Sequence, residues 1–200
     1  MVASPTLNLK PSSLGAAARG ARPLLLATLV CVLCLFNPSD ASALPILGEP
    51  TPDVVLEDAW DRQVAMGKLG AKPVLVVYED EASSKQNNAF KAELAELAKG
   101  DRYKTRVALL AVADLDGYDY WPVRGFVKDA IRSESRKQQL SILCDWSGKF
   151  RKALGLIKGS SNVVLYGKNG KVLFSHAGPL SAEQRATLIS SLRSQVGPSD

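Results

Sequence analysis

The 200-residue chain carries 25 Lys and Arg against 20 Asp and Glu, a formal charge of +5, with 46% hydrophobic and 22% charged residues. That balance fits one globular domain with a sizeable core. No basic run with interleaved aromatics is present, so no nucleic-acid partner is expected.

Residues 1–22 hold no acid and three cations, Lys10, Arg19 and Arg22, and Pro23 to Phe36 is uninterrupted apolar sequence followed by NPSDASA. This is the pattern of a secretory signal. The apolar run falls short of the roughly 20 residues of a transmembrane helix, and Ala41-Ser42-Ala43 offers the small residues of a cleavage site. Cleavage is expected after Ala43. The chain then divides into a signal at 1–43, an extended arm at 44–52 and a domain at 53–196, with no membrane span after cleavage and a periplasmic or secreted location. An uncleaved anchor and an organelle transit peptide are the alternatives. Cys31 and Cys34 lack the small residue that precedes a lipidated cysteine. Their CxxC sits in the apolar core of the signal and leaves with it. Cys144 remains alone, which excludes an internal disulfide. After Ile142 and Leu143, it reads as a buried core thiol. The mature part keeps a net charge of +3.

Beyond the arm, Asp53 to Glu57 reads as a strand, Trp60-Asp61-Arg62 as a turn, and Gln63 to Ala65 as a short returning strand. Val74 to Tyr78 is a continuous β-branched and apolar run, as in a parallel strand covered on both faces. A helix follows with Phe90, Leu94, Leu97 and Ala98 on one face, stopping at Gly100. Val107 to Ala113 is a second buried strand, so strand, helix and strand form a right-handed crossover. After the turn-rich Asp114 to Tyr120, Pro122 opens a helix to about Gln138, with Phe126, Val127, Ala130 and Ile131 as its apolar face. Ser141 to Cys144 is a third strand, Lys149 to Leu154 a short helix, and Asn162 to Tyr166 a fourth strand. This last strand turns through Gly167-Lys168-Asn169-Gly170 into Lys171 to Ser175 as a hairpin. Ser181 and Gln184 form a capping box for a final helix lined by Leu188, Ile189 and Leu192.

The early hairpin, the KPVLVVY strand, the long helix, the ILCDWSGKFRKALG segment and the VVLYGKNGKVLF hairpin together resemble a thioredoxin-like fold of the redoxin and peroxiredoxin-like branch. Within it the chain is similar to the YtfJ family of bacterial periplasmic proteins, over roughly Val54 to Leu192. SESRKQQ, the strand ending in Asp145, SxxxVLY and KNGKV carry that resemblance most specifically. It implies an α/β fold with a central mixed sheet flanked by helices and an N-terminal β-hairpin. The redox residues do not carry over. Aligned on KPVLVVY, the CxxC position of thioredoxin-like enzymes falls on Ser83, Ser84, Lys85 and Gln86. The peroxiredoxin PxxxTxxC signature would cross Glu79, Asp80 and Ser83 without its proline or threonine. The proline that usually precedes the fourth strand in a cis bond maps to Ser161. The YtfJ family also lacks the cysteine pair.

Three groups of residues remain as candidates. Ser83 with Gln86 reads as a capping box for the helix after the central strand. A nucleophilic role for Ser83 would need a base, and the sole histidine, His176, has no evident partner. Glu79, Asp80, Glu81, Asp114, Asp116 and Asp119 all follow buried parallel strands. They are expected to meet at the carboxyl edge of the sheet, as solvated turn residues or as an edge for a hard cation. DLDGYD puts its glycine fourth, whereas a calcium loop has it sixth. Arg124, Lys128, Arg132 and Arg136, spaced by four, make a basic helix stripe. Residues 121–158 hold nine cations against three acids, and residues 44–120 nine against fourteen. The stripe is expected to be a solvated face or a surface for an acidic protein partner or an anionic surface.

The expected function is an exported thioredoxin-fold protein without redox cysteines, needing no cofactor and acting by binding or as an envelope or stress protein. The alternative is a thiol-dependent oxidoreductase or peroxidase using Cys144 or an intermolecular partner. That would require an exposed thiol of lowered pKa.

Overall fold

The computed structural model describes residues 43–69, 72–99 and 101–197. The segment expected to be a signal, 1–43, lies outside them except for Ala43. The elements in chain order are β1 (Val55–Asp58), β2 (Gln63–Ala65), β3 (Val74–Glu79), α1 (Asn88–Leu97), α2 (Asp101–Arg106) and β4 (Ala108–Asp114). They continue with α3 (Val123–Gln138), β5 (Ile142–Asp145), α4 (Lys149–Ala153), β6 (Asn162–Tyr166), β7 (Val172–Ala177) and α5 (Ala182–Val196).

Seven strands form one sheet in the order β2-β1-β5-β4-β3-β6-β7. β3, β4 and β5 are parallel; β1 joins β5 and β6 joins β3 antiparallel, and β2 and β7 pair antiparallel with β1 and β6 at the two edges. β3 lies inside the sheet between β4 and β6, and every residue from Val74 to Tyr78 is buried, as a run apolar on both faces requires. Its side chains alternate between two cores. Val74, Val76 and Tyr78 face Leu110, Val112, Leu143 and Phe150 on one side. Leu75 and Val77 face Phe90 of α1 and Leu188, Ile189 and Leu192 of α5 on the other. A smaller cluster forms where Val127 and Ile131 of α3 cover Ala59, Leu115, Cys144 and Trp146.

The expected hairpin closes with Gly170 N donating to Gly167 O at 2.9 Å, and Gly170 adopts φ +69. Its left-handed conformation is the one glycine takes without steric cost. The capping box at Ser181 is present, with each partner bonding the other's backbone. The arm is not free. Gly48 and Thr51 donate to Val172 O and Gly170 O, and Val172 donates to Glu49 O, so the arm covers the start of edge strand β7.

Three details depart from the sequence expectation. α2 occupies a stretch too polar and short to show a periodic face. α1 begins at Asn88, several residues later than the serine pair suggested. Phe126 and Ala130 are exposed, because α3 turns only Val127 and Ile131 inward. Among the described residues no helix is long and apolar enough to cross a membrane.

Candidate functional site

At the end of β3, where a thioredoxin-like enzyme carries its thiols, residues 81–87 form turns ahead of α1. Ser83 is fully buried, and its side chain bonds to Asp80; Gln86 N–H donates to the Ser83 carbonyl at 2.9 Å, not to its hydroxyl. Its Oγ donates to Asp80 Oδ1 at 2.7 Å, its N–H donates to the same oxygen at 2.7 Å, and Asp80 N donates back to Ser83 Oγ at 3.0 Å. The expected Ser83–Gln86 cap is therefore not made. Asp80, three residues upstream, competes for the same groups in a turn that never becomes helical. Ser84 Oγ donates to Glu81 O, and Lys85 is exposed.

Gln86 is drawn instead to Ser161, whose N–H donates to Gln86 Oε1 at 3.0 Å. Ser161 Oγ donates to Glu79 Oε1 at 2.7 Å and accepts from Asn87 Nδ2 at 2.8 Å. Asn87 also donates to Gly178 O and accepts from Leu180 N. Glu79 Oε2 pairs with Lys91 at 2.7 Å. A proline at 161 would have no N–H to satisfy. The serine does, and Gln86, on the second cysteine's position, supplies the acceptor. The two departures from the redox pattern thus form one hydrogen-bonded unit. The cis bond among the described residues lies elsewhere, at Trp121–Pro122. Gln86→Ala is expected to cost about 1–2 kcal/mol in a urea titration, the penalty for a buried amide left without its acceptor. An unchanged midpoint would show that water takes its place.

The six carboxylates of the sheet edge do not converge. Asp80 is used by Ser83 and Glu79 by Lys91 and Ser161, while Glu81 is exposed. Asp119 pairs with Arg124, and Asp114 and Asp116 pair with Arg151. Among the described residues no group of three or more His, Cys, Asp or Glu is placed to hold a metal ion. Separate cationic partners on α1, α3 and α4 pull the carboxylates apart. The expectation of a shared edge is corrected.

What the edge does hold is a buried knot that the sequence did not reveal. Arg151 on α4, 8% exposed, lies 3.4 Å from Asp114 and 3.0 Å from Asp116, and Lys158 adds a 3.2 Å contact to Asp116. Asp145 Oδ2 accepts from Arg151 N at 3.0 Å and from Tyr78 O–H at 3.1 Å. Burial, then the negative charge of Asp145 and Asp114, pushes the Tyr78 hydroxyl well above its ordinary pKa, so it stays a donor. The only sequence signal is positional: Tyr78, Asp114 and Asp145 each close a buried apolar run.

The basic stripe forms on α3, yet most of it faces the chain's own acids. Arg124 pairs with Glu57 at 2.7 Å and with Asp119, and its guanidinium stacks on Trp146 at 4.6 Å. Lys128 pairs with Asp61, and Arg132 donates to Ala59 O and pairs with Asp129. Of the four stripe residues, only Arg136 is exposed and without an ion pair among the described residues. The stripe ties α3 to the β1–β2 hairpin.

Cys144 is 2% exposed beneath Val127 and Ile131. Burial, followed by the charges of Glu57 and Asp58, pushes its thiol up to about 12, away from the thiolate a redox cysteine needs. Two small cavities are lined by described residues, and Cys144 borders the second. One, of about 170 Å³, lies between the arm and Tyr166; the other, of about 190 Å³, between β1 and residues 144–150. Both are below the ~300–1,000 Å³ usual for small-molecule sites.

The sheet order, the crossover through α1 and the closing β6–β7–α5 unit define a thioredoxin-like protein whose redox turn holds no thiol. The chain belongs to the family described as "Bacterial protein of unknown function (YtfJ_HI0045)", whose model matches residues 54–195. Solved structures agree on the fold. A thiol-disulfide oxidoreductase from Bacteroides fragilis is 20% identical, with a TM-score of 0.54 over 72% of this chain and 100% of its own. A hypothetical protein from Sinorhizobium meliloti is 17% identical, with a TM-score of 0.57 over 77% and 86%. An uncharacterized conserved protein from Geobacillus kaustophilus is 14% identical, with a TM-score of 0.57 over 76% and 82%. Among curated proteins none matches.

Proposed function

We propose that this chain is an exported, non-catalytic binding protein that keeps the thioredoxin-like fold and has given up its thiol chemistry. The observation that carries this reading is the unit of Glu79, Gln86, Asn87 and Ser161. It ties Gln86 to the Ser161 backbone N–H and the Ser161 hydroxyl to Glu79 and Asn87, and no thiol stands at the redox position. The buried Cys144, its thiol pushed up to about 12, supports it. The signal-like residues 1–43 support export to the periplasm or beyond. The small cavities favour a macromolecular partner over a small ligand. For an acidic or anionic partner, α3 and α4 offer Arg136, Lys149 and Lys152, all exposed.

Insulin reduction and peroxide consumption by the exported chain, beside Cys144→Ser, test the reading. Both proteins are expected to be inactive in both assays. Thiol-dependent turnover that the substitution abolishes would establish the oxidoreductase alternative instead.

A further inference from the structure

Tyr166 is 1% exposed, and its hydroxyl is buried without a hydrogen-bond partner among the described residues. A hydroxyl left in that state costs free energy, so it calls for an occupant beside it. Tyr166 borders the cavity of about 170 Å³ that is walled by the arm, Ala43, Pro45 and Glu49 included, and by the end of α4. Burial, then the negative charge of Glu49, pushes the Tyr166 hydroxyl well above its ordinary pKa, which sets that hydroxyl on the Glu49 side of the ring. Glu49 Oε2 accepts from Ile46 N–H at 2.8 Å, and the carboxylate has no ion pair among the described residues. The wall holds no Lys, Arg or His, and its prolines have no N–H to offer. The cavity thus gathers acceptors and one unpaired negative charge. It is too small for the usual small-molecule ligand, and its chemistry suits a compact cation that only donates.

We infer that in the processed chain this cavity holds the α-ammonium group that cleavage after Ala43 creates on Leu44. The inference rests on the export reading above and deepens it. Both neighbours of Leu44, Ala43 and Pro45, line the cavity, so the nitrogen to be freed lies at its wall. The Leu44 side chain packs on the core cluster that contains Tyr166, which keeps that nitrogen in place once the signal has gone. Before cleavage the nitrogen is an uncharged amide with one N–H. Afterwards it offers three donors and, with an ordinary pKa of about 7.7–8.0, a positive charge on most molecules at pH 7. Tyr166 Oη and the second oxygen of Glu49 are acceptors of the kind it needs. Gly155 lets the chain reach this place, because a side-chain carbon there would collide with the Ala43 carbonyl oxygen and stand 3.0 Å from its carbon. Anchoring the terminus also holds down the arm that covers the start of β7, so removal of the signal completes the protection of that edge.

Urea unfolding of chains that begin at Leu44 and at Ala43, each with and without Tyr166→Phe, tests this. Both chains contain every strand and helix of the domain, and the second carries its amine one residue farther out. With Leu44 first, loss of the hydroxyl is expected to lower the folding equilibrium constant about tenfold or more, as for a hydrogen bond to a charged group. With Ala43 first the hydroxyl has no partner, and the same substitution should be neutral or stabilising. Titration of the α-amine by nuclear magnetic resonance gives a second readout. In the folded Leu44 chain the amine should bind its proton about tenfold or more tightly than in urea, and Glu49→Gln, which keeps an acceptor for Ile46 N–H, should remove that gain. An equal effect of Tyr166→Phe in both chains, or an amine that titrates in the folded chain as it does in urea, would each overturn the inference while leaving the export reading in place. N-terminal sequencing of the exported chain tests that reading separately: Leu44 as first residue supports both, and any other first residue overturns both the cleavage site and the inference built on it.

Discussion

Arg151→Met is expected to destabilise the domain by about 3–5 kcal/mol, the cost of removing one partner from a buried ionic cluster. The guanidinium lies between Asp114 and Asp116 at 3.4 and 3.0 Å, with Asp114 7% exposed and Asp145 2% exposed on the neighbouring strand. Methionine keeps the packing of the long side chain and removes the charge, so the loss isolates electrostatics from cavity formation. Asp114 Oδ2 has no hydrogen-bond partner among the described residues and depends on the ion pair alone. Tyr78→Phe should cost less, about 1–2 kcal/mol, because Asp145 keeps the backbone N–H of Arg151. Chemical denaturation of both variants, with a double mutant to measure coupling, checks the order. An Arg151→Met protein as stable as the wild type would mean that the cluster is solvated and contributes nothing.

The second large effect is expected at Asp58. This carboxylate, 2% exposed, ends β1 and organises the following turn. Oδ1 accepts from the N–H groups of Trp60 and Arg62, while Oδ2 accepts from Arg62 Nε at 2.7 Å and Ser141 Oγ at 3.0 Å. Burial alone would raise its pKa. The bonds from Arg62, Trp60 and Ser141 outweigh burial and hold it below the ordinary value. A carboxylate depressed in the folded state is protonated first in the unfolded one. Its contribution is therefore complete above the unfolded pKa of about 3.9 and fades as pH falls through the folded value. Asp58→Asn should lower stability by about 2–3 kcal/mol at pH 7, in line with the loss of charge-assisted bonds. It should also flatten the acid limb of the stability curve below about pH 4. Unfolding measured from pH 2 to 7 reads both effects, and parallel curves for the two proteins would remove Asp58 from the acid limb.

The fold was legible because its main signals are local. A β-branched run such as Val74 to Tyr78 cannot be solvated on either face, and the Ser181–Gln184 box and the glycine hairpin declare themselves within four residues. The site was less legible because its decisive contacts span long separations. Ser83 and Gln86 satisfied a local capping pattern. Asp80 took the serine, and Ser161, 75 residues away, took the glutamine. The basic stripe was real as a stripe, but its acids Glu57 and Asp61 lie 67 residues upstream, on a hairpin whose docking no periodicity reports. On α3 the four apolar residues divide into two adjacent pairs. Periodicity could not tell that Val127 and Ile131 turn inward while Phe126 and Ala130 stay out. Arg151 looked like one cation among many because its burial follows from the α4 turn folding back over β4 and β5.

The central claim is that the redox position is filled structurally and that the remaining thiol is inert in the folded domain. It is tested most directly by the alkylation rate of Cys144 in the native chain with Cys31 and Cys34 replaced by Ser, at pH 8, set beside the same chain in denaturant. With the thiol buried under α3 and its pKa near 12, labelling is expected only through opening of the domain, at least a thousandfold slower than in the unfolded chain. Labelling of the native protein at a rate close to that of the unfolded chain would contradict the account and return Cys144 to the role of a reactive thiol.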